Sequence, residues 1–197
     1  MAADTLQDML LGEPVAGREC GDCIACCVIP GIDTPGLVKP EGVMCPHCTG
    51  RGCGVYGRRP DVCRTFHCAY RRIRSMPLET RPDKLGVMFT LERQLPPRNL
   101  FEHLYYVGVA TGDPRALESE TALQVIRMLT QGVLPVFVSH GGRKTLVHPE
   151  PDLAGAILNP APLKDRALVK RGREWLKRYA PFARLSAGEH TALPYGL

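Results

Sequence analysis

Nine cysteines are the residues of this chain whose type and spacing indicate chemistry. All of them lie between Cys20 and Cys68, and none occurs elsewhere in the 197 residues. Cysteines used as ordinary buried hydrophobic residues would be scattered along the sequence. Several of these are separated by two residues, a spacing that lets neighbouring sulfurs turn onto one ion. The stretch therefore predicts a metal site.

The first cysteines fit an iron–sulfur cluster. Cys20, Cys23 and Cys26 have the spacing that wraps a cubane cluster in bacterial ferredoxins, where the fourth ligand is distant and precedes proline. Here Cys45 precedes Pro46. These four residues could hold one [4Fe–4S] cluster on spacing alone.

The same region also fits zinc. The pairs Cys20/Cys23 and Cys45/Cys48 form two knuckles, with a linker slightly longer than is usual in a four-cysteine ribbon. Adjacent Cys26 and Cys27 tend to point apart, which favours two sites or one multinuclear cluster over a single ion. Both zinc and iron accept four thiolates in a tetrahedral field, so the number of ligands does not identify the metal.

The remaining sequence predicts a cytoplasmic protein with reduced thiols. No Lys or Arg precedes Arg18, and no apolar run resembles a signal peptide or a membrane span. In the cytoplasm a cysteine cluster is typical of metal binding rather than of a disulfide framework. We therefore expect a metal ion as the partner, and no membrane.

Positive charge is concentrated beside the cysteines. Seven arginines lie between Arg51 and Arg74, with Asp61 as the only acid there. Eight thiolates exceed the charge of two divalent ions, so arginines that contact sulfur and backbone would offset the remainder. A nucleic-acid surface is the alternative interpretation of these arginines. We expect charge compensation, and nucleic acid is not the expected partner.

Periodicity beyond the cysteines predicts an α+β fold, a small mixed α/β body with a loop-rich cysteine-cluster lobe. The expected parts are an N-terminal arm (1–17), the metal-binding lobe (18–74) and the body (75–197), with lobe and body forming one compact unit. A short helix should follow Pro60. The strands expected in the body are 84–91, 103–110, 133–138 and 144–148.

Helices and turns of the body have local signals. Asp113-Pro114 predicts the start of a helix that runs to Thr130, with a break near Glu118–Ser119. Gly141-Gly142 predicts a hairpin turn. Leu168, Trp175, Leu176 and Tyr179 recur at helical spacing and predict a packed helix with a basic opposite face.

The cysteine stretch resembles the YkgJ-type cysteine-cluster family, described as a putative zinc- or iron-chelating domain. The resemblance covers roughly residues 18–90. Its motifs are Cys20-x2-Cys23-x2-Cys26-Cys27, Leu37-Val-Lys39-Pro40-x-Gly42-x2-Cys45-Pro-His47, Gly52-Cys53-x-Val55-Tyr56-x2-Arg59-Pro60-x2-Cys63-Arg64-x-Phe66-x-Cys68 and Arg81-Pro82-Asp83-x2-Gly86-Val87.

This resemblance implies eight metal ligands. They are Cys20, Cys23, Cys26, Cys27, Cys45, Cys53, Cys63 and Cys68. Cys48 stands where the family has an apolar residue, which makes it the spare thiol and weakens its pairing with Cys45 in a zinc ribbon. His47 and His67 are reserve ligands that more often would hydrogen-bond to sulfur or backbone.

The expected function is chelation of zinc or iron, with an iron–sulfur cluster as one form that the iron could take. A more distant similarity to flagellin lysine N-methylases gives a first alternative, a cluster-dependent protein-modifying enzyme. The second is a zinc-ribbon-like nucleic-acid binder. The sequence shows no catalytic constellation and no glycine-rich cofactor loop, so enzymatic activity stays open.

Overall fold

A computed structural model describes the backbone of residues 6–187 and the side chains of residues 9–186. The first five residues of the predicted arm, and His190, lie outside the described residues. The helices are α1 (Leu6–Leu11), α2 (Ala25–Val28), α3 (Asp61–Thr65), α4 (Ala69–Arg72), α5 (Pro82–Leu85), α6 (Glu120–Thr130), α7 (Pro151–Leu158) and α8 (Arg166–Ala187). The strands are β1 (Ile32–Thr34), β2 (Leu37–Lys39), β3 (Val87–Glu92), β4 (Tyr105–Ala110), β5 (Val136–His140) and β6 (Arg143–His148). The predicted α+β class is confirmed.

The cysteine stretch consists of short elements joined by turns. Within it, β1 and β2 form an antiparallel hairpin in which Ile32 faces Lys39. The turn between the strands is Pro35-Gly36, a signal that the sequence analysis did not use. The predicted helix after Pro60 is α3, and it ends at Thr65, before Phe66 and His67.

The four body strands lie in one sheet in the order β3-β4-β5-β6, and β5 pairs with β6 antiparallel. The strand predicted from Lys84 begins later, at Val87, because residues Pro82–Leu85 form the helical turn α5. Proline suits the first position of that turn, and Gly86 ends it at a φ of 75°. A side chain at Gly86 would be strained at this angle.

The hairpin of β5 and β6 is confirmed. Gly141 and Gly142 form its turn with φ values of 56° and 76°. Two successive positive φ values define the type I′ turn that matches the twist of paired strands. His140 therefore faces Arg143 across the turn.

The helix predicted from Asp113 is also confirmed, including its break. Pro114–Glu118 is a 3-10 helix, and α6 begins at Glu120. An Asp113 carboxylate oxygen accepts a 2.9 Å hydrogen bond from the Arg115 backbone N–H. The carboxylate thus satisfies a helix-start donor that would otherwise have no partner.

Helix α8 packs closely against α7, a helix that the sequence analysis missed. Trp175, Tyr179 and Ala183 on its inner face are between 0% and 6% exposed. Gly172 allows the close approach, since a Cβ atom there would lie 3.3 Å from the Ile157 Cγ1 atom. The two helices bury their shared apolar face by this packing.

The chain divides into two compact units. The first contains the residues up to Thr90 together with Val109–Leu123, and the second contains Leu91–Gly108 and the residues from Gln124 onward. All nine cysteines belong to the first unit. Over the part of the chain that is described, no helix combines the length and apolar character needed to cross a membrane.

Candidate metal centre

The cysteine side chains converge on one cavity of about 210 Å³. Seven of the eight predicted ligands line it: Cys20, Cys23, Cys26, Cys27, Cys45, Cys53 and Cys63. The eighth, Cys68, lies at a smaller cavity of about 40 Å³ that Cys20, Cys23, Cys26 and Cys63 also line. The fold therefore gathers residues that are far apart in sequence around two shared spaces.

Apolar side chains complete the wall of the larger cavity. They include Ile32, Leu37, Val55, Val62 and Phe66. An apolar wall lowers the local dielectric and strengthens any charge interaction within it. The same wall disfavours free thiolates, which need a cation to be stable there.

One set of thiols surrounds Cys63. Burial raises the pKa of Cys63, and the neighbouring Cys45, Cys27 and Cys53 raise it further. Arg59 acts in the opposite direction and lowers it. Four cysteines are thus close enough to influence one another electrostatically.

A second set surrounds Cys68. Burial raises the pKa of Cys68 to about 11, and the nearby Cys20 and Cys23 add to the increase. Burial also raises the pKa of Cys23. These three residues form a second electrostatic group, and two of them, Cys20 and Cys23, also share both cavities with Cys63.

The prediction that adjacent Cys26 and Cys27 point apart is wrong, because their side chains hydrogen-bond to each other and line the same cavity. Their hydrogen bond is the largest contribution to the raised pKa of Cys27, followed by burial. The Cys26 side chain is exposed and borders both cavities. Cys27 also hydrogen-bonds to Cys48, which lowers its pKa.

Cys48 lies beside the cluster but not on the wall of either cavity. It forms an isolated antiparallel bridge with Cys53 and donates its backbone N–H to the Cys45 carbonyl at 2.9 Å. The backbone N–H of Cys45 in turn donates to the Cys27 carbonyl at 2.8 Å. Main-chain bonds therefore hold Cys27, Cys45, Cys48 and Cys53 together.

Thiolates are ligands that suit zinc and iron by their chemistry. As the side chains of residues 9–186 are placed, no group of three or more His, Cys, Asp or Glu residues could hold a metal ion. The cysteines thus share cavities without forming a ready coordination shell. A metal cation would lower their pKa values and draw the sulfurs inward, because ligating cysteines are deprotonated.

Arg18 fastens the two ends of the cysteine stretch. Its guanidinium Nη1 donates to the carbonyls of Tyr70 (2.6 Å) and Ile73 (2.9 Å). Its Nη2 donates to the carbonyls of Arg74 (2.8 Å) and Met76 (2.5 Å). The residue is only 7% exposed, so these bonds satisfy a buried charge.

We call this arrangement the Arg18 clasp. It joins the segment just before Cys20 to the segment just after Cys68. The sequence analysis missed Arg18 because it lies outside the arginine-rich stretch. Its position two residues before Cys20 was the only local signal.

Lys39 is a second buried cation that the sequence analysis did not single out as a charge. It is 4% exposed and donates to the carbonyls of Val28 (3.0 Å), Pro30 and Pro40 (3.2 Å). Burial lowers its pKa, while nearby Cys45 and other thiols act to raise it. Lys39 therefore adds fixed positive charge near the sulfurs.

Several arginines of the 51–74 stretch donate hydrogen bonds to backbone carbonyls. Arg59 Nε donates to the Tyr56 carbonyl at 3.1 Å, and its guanidinium lies 3.8 Å from the centroid of the Tyr56 ring. Arg71 donates to the Arg18 carbonyl, and Arg72 to that of Thr65 at 3.3 Å. These contacts hold the three guanidinium groups against the backbone, and the compensation of thiolate charge by these arginines stays a prediction.

The two histidines within the cysteine stretch border different cavities. His47 lines the larger one, and His67 the smaller one. His47 also accepts a 2.8 Å hydrogen bond at its carbonyl from the Gly54 N–H. Both remain within reach of the cluster as reserve ligands.

No family model, curated protein or solved structure matches the chain. The resemblance to the cysteine-cluster family therefore stays a prediction based on its motifs.

Proposed function

We propose that the chain binds zinc or iron through the eight predicted cysteines. The convergence of seven of them on one cavity of about 210 Å³ is the observation that carries the proposal. A single ion bound by four sulfurs at about 2.3 Å would engage only part of this wall. The size of the cavity and its number of thiols favour two sites or one multinuclear cluster.

We divide the eight thiols into two groups of four, according to which cysteines influence the pKa of Cys63 and which influence that of Cys68. The first group is Cys27, Cys45, Cys53 and Cys63, which influence one pKa together. The second contains Cys20, Cys23 and Cys68. Cys26 is the remaining thiol of the eight, and we assign it to the second group; it borders both cavities and hydrogen-bonds to Cys27, so it also contacts the first group.

The decisive experiment identifies the metal in the intact protein. The chain is purified anaerobically, and zinc, iron and acid-labile sulfide are measured per polypeptide beside the visible spectrum. Two zinc ions without sulfide would indicate mononuclear sites, whereas iron with sulfide and a broad visible band would indicate a cluster. Protein purified with neither metal, and unable to take up either one, would refute the proposal.

Single variants test the division into groups. Cys53→Ser removes a thiol of the first group and Cys68→Ser one of the second, since a serine hydroxyl stays protonated where cysteine becomes a thiolate. With two independent sites, each variant keeps about half of the metal. Loss of all metal in both variants, with helical content unchanged, would indicate one shared cluster.

A further inference from the structure

A stripe of positive charge runs along α8, in the second unit. The helix contains seven basic residues and one acid, Glu174. Five of the cations are spaced so that they share one side, within an arc of about 60° at 3.6 residues per turn. We call them the basic stripe: Arg166, Lys170, Arg173, Lys177 and Arg184.

The basic stripe is exposed along its whole length. All five residues are in the exposed class. It extends for roughly 27 Å, at 1.5 Å of rise per residue. Glu174 lies 3.9 Å from Lys170, but both side chains are more than 60% exposed, so this pair neutralises little of the charge.

A neighbouring acid pairs with a basic residue of α8 that lies outside the basic stripe. Glu150, which directly precedes α7, pairs with Arg171 of α8 at 2.5 Å. Arg171 lies more than a quarter turn away from the stripe. The stripe therefore keeps a net positive charge, and Pro181 interrupts the helical hydrogen bonding between Lys177 and Arg184.

The burial of the apolar face of α8, opposite the basic stripe, indicates which kind of polyanion the stripe binds. An amphipathic helix that binds membranes inserts its apolar face between the lipids. Here Trp175, Tyr179 and Ala183 are at most 6% exposed. A partner that needs only charge, arranged in a line, fits better than a bilayer.

We propose that the basic stripe binds the phosphate backbone of a nucleic acid without reading its sequence. Phosphate contacts by Lys and Arg provide affinity that is independent of sequence. This places the surface on α8 rather than on the arginine-rich cysteine stretch. There Arg59, Arg71 and Arg72 are already engaged by backbone carbonyls.

The test compares two double variants that remove the same amount of charge. Arg173→Gln/Lys177→Gln alters the stripe, and Arg51→Gln/Arg58→Gln alters exposed arginines of the cysteine stretch. Binding of a fluorescent mixed-sequence DNA duplex and of a single-stranded RNA is followed by anisotropy between about 50 and 200 mM salt. Vesicles containing phosphatidylserine are the parallel probe.

The wild-type protein should bind duplex DNA with a logarithmic salt slope of about −4 to −5, at ~0.9 per phosphate contact. The stripe variant should reduce that slope by about 2 and weaken binding at least tenfold at the lower salt concentration. The cysteine-stretch variant should bind within twofold of the wild type. Metal content and helical content should be unchanged in the stripe variant, which keeps the result separate from the metal proposal.

Three results would overturn the inference. The first is wild-type affinity in the stripe variant, and the second is a loss of affinity confined to the cysteine-stretch variant. The third is binding to the anionic vesicles with none to DNA or RNA, which would assign the stripe to a membrane surface.

Discussion

The guanidinium of Arg18 lies 5.2 Å from the centroid of the Tyr70 ring and donates to the carbonyl of the same residue at 2.6 Å. One side chain therefore fixes both the ring and the backbone of Tyr70. Because Tyr70 follows Cys68 by two residues and Arg18 precedes Cys20 by two, the contact sets the distance between these cysteines. The clasp is thus part of the candidate metal centre although it supplies no ligand.

Replacing Arg18 by lysine should destabilise the cysteine stretch. A lysine is a point charge and cannot serve four carbonyls with a planar fork, so buried acceptors would lose their partners. We expect a loss of roughly 2–4 kcal/mol in the free energy of unfolding of the first unit. Limited proteolysis within 51–74, together with the chelator concentration at which metal is lost, measures it.

Arg58→Lys is the matched control, because Arg58 is exposed. It should behave like the wild type in both assays. Equal behaviour of Arg18→Lys and Arg58→Lys would show that the clasp adds no stability.

Metal removal should unfold the cysteine stretch and spare much of residues 84–179. Structural zinc contributes on the order of 10–16 kcal/mol of apparent binding energy, which in small domains is folding energy. The single tryptophan, Trp175, is 6% exposed and belongs to the second unit, so its fluorescence reports on that unit alone. After chelation, residues 20–68 should become protease-sensitive while Trp175 emission stays constant. Unchanged resistance of residues 20–68 would contradict the prediction.

Cys48→Ser should keep the full metal complement, whereas Cys23→Ser or Cys63→Ser should lose at least one site. Cys48 hydrogen-bonds to Cys27 but does not line either cavity. Metal analysis of the three variants is the measurement. If Cys48→Ser loses as much metal as Cys23→Ser, Cys48 is a ligand and the proposed set of eight is wrong.

Tyr179→Phe should destabilise the second unit by about 1–2 kcal/mol. The Tyr179 hydroxyl accepts from the Leu104 N–H at 3.1 Å and donates to the Leu104 and Leu100 carbonyls at 3.0 and 3.3 Å. The residue is fully buried, so the variant leaves an internal N–H without a partner. Urea unfolding followed by Trp175 fluorescence measures the change. Metal content should not respond, and a metal loss would show that the effect is not local.

Protonation of the Glu102 carboxylate should lower the stability of the second unit in acid. Burial raises the pKa of this carboxyl, but its hydrogen bonds from Arg98 outweigh burial and the net shift is downward. A lowered native pKa adds stability above the ordinary carboxyl pKa of about 4.3, and that stability is lost as the pH falls through the native value. Glu102→Gln should flatten the dependence of the unfolding free energy on pH below about 5.

Arg98→Ala should flatten the same curve in part, because it removes the side-chain donors that lower the Glu102 pKa but keeps the Arg98 backbone N–H, which donates to Glu102 Oε2 at 2.8 Å. Arg115→Ala breaks an exposed pair with Asp113 and should leave the curve unchanged. Parallel curves for Glu102→Gln and the wild type would refute this assignment.

Local signals predicted much of the body. The Asp113-Pro114 start, the break before Glu120 and the Gly141-Gly142 turn each depend on neighbouring residues, and all three occur in the structure. The strand near Lys84 was predicted too early, because the apolar alternation continues through a helical turn whose identity depends on Pro82 and Gly86.

Local sequence signals could not predict the longer-range contacts of the candidate site. The Arg18 clasp joins residues 52 to 58 positions apart, and no local pattern encodes which carbonyls an arginine will meet. The division of the thiols into groups around Cys63 and Cys68 likewise depends on how the loops that carry the cysteines fold back on one another. The spacing of the cysteines predicted a shared site, but not which residues are neighbours in it.

The close approach at Gly172 has a thermodynamic consequence for the proposed nucleic-acid surface. Helix α8 is held against α7 before any partner arrives, so its backbone has no ordering entropy left to lose on binding. Calorimetry of the DNA complex should therefore show a small heat-capacity change, unlike that of a basic segment that folds on its target. A bulkier residue at position 172 would push the helices apart and bring back part of that entropic cost.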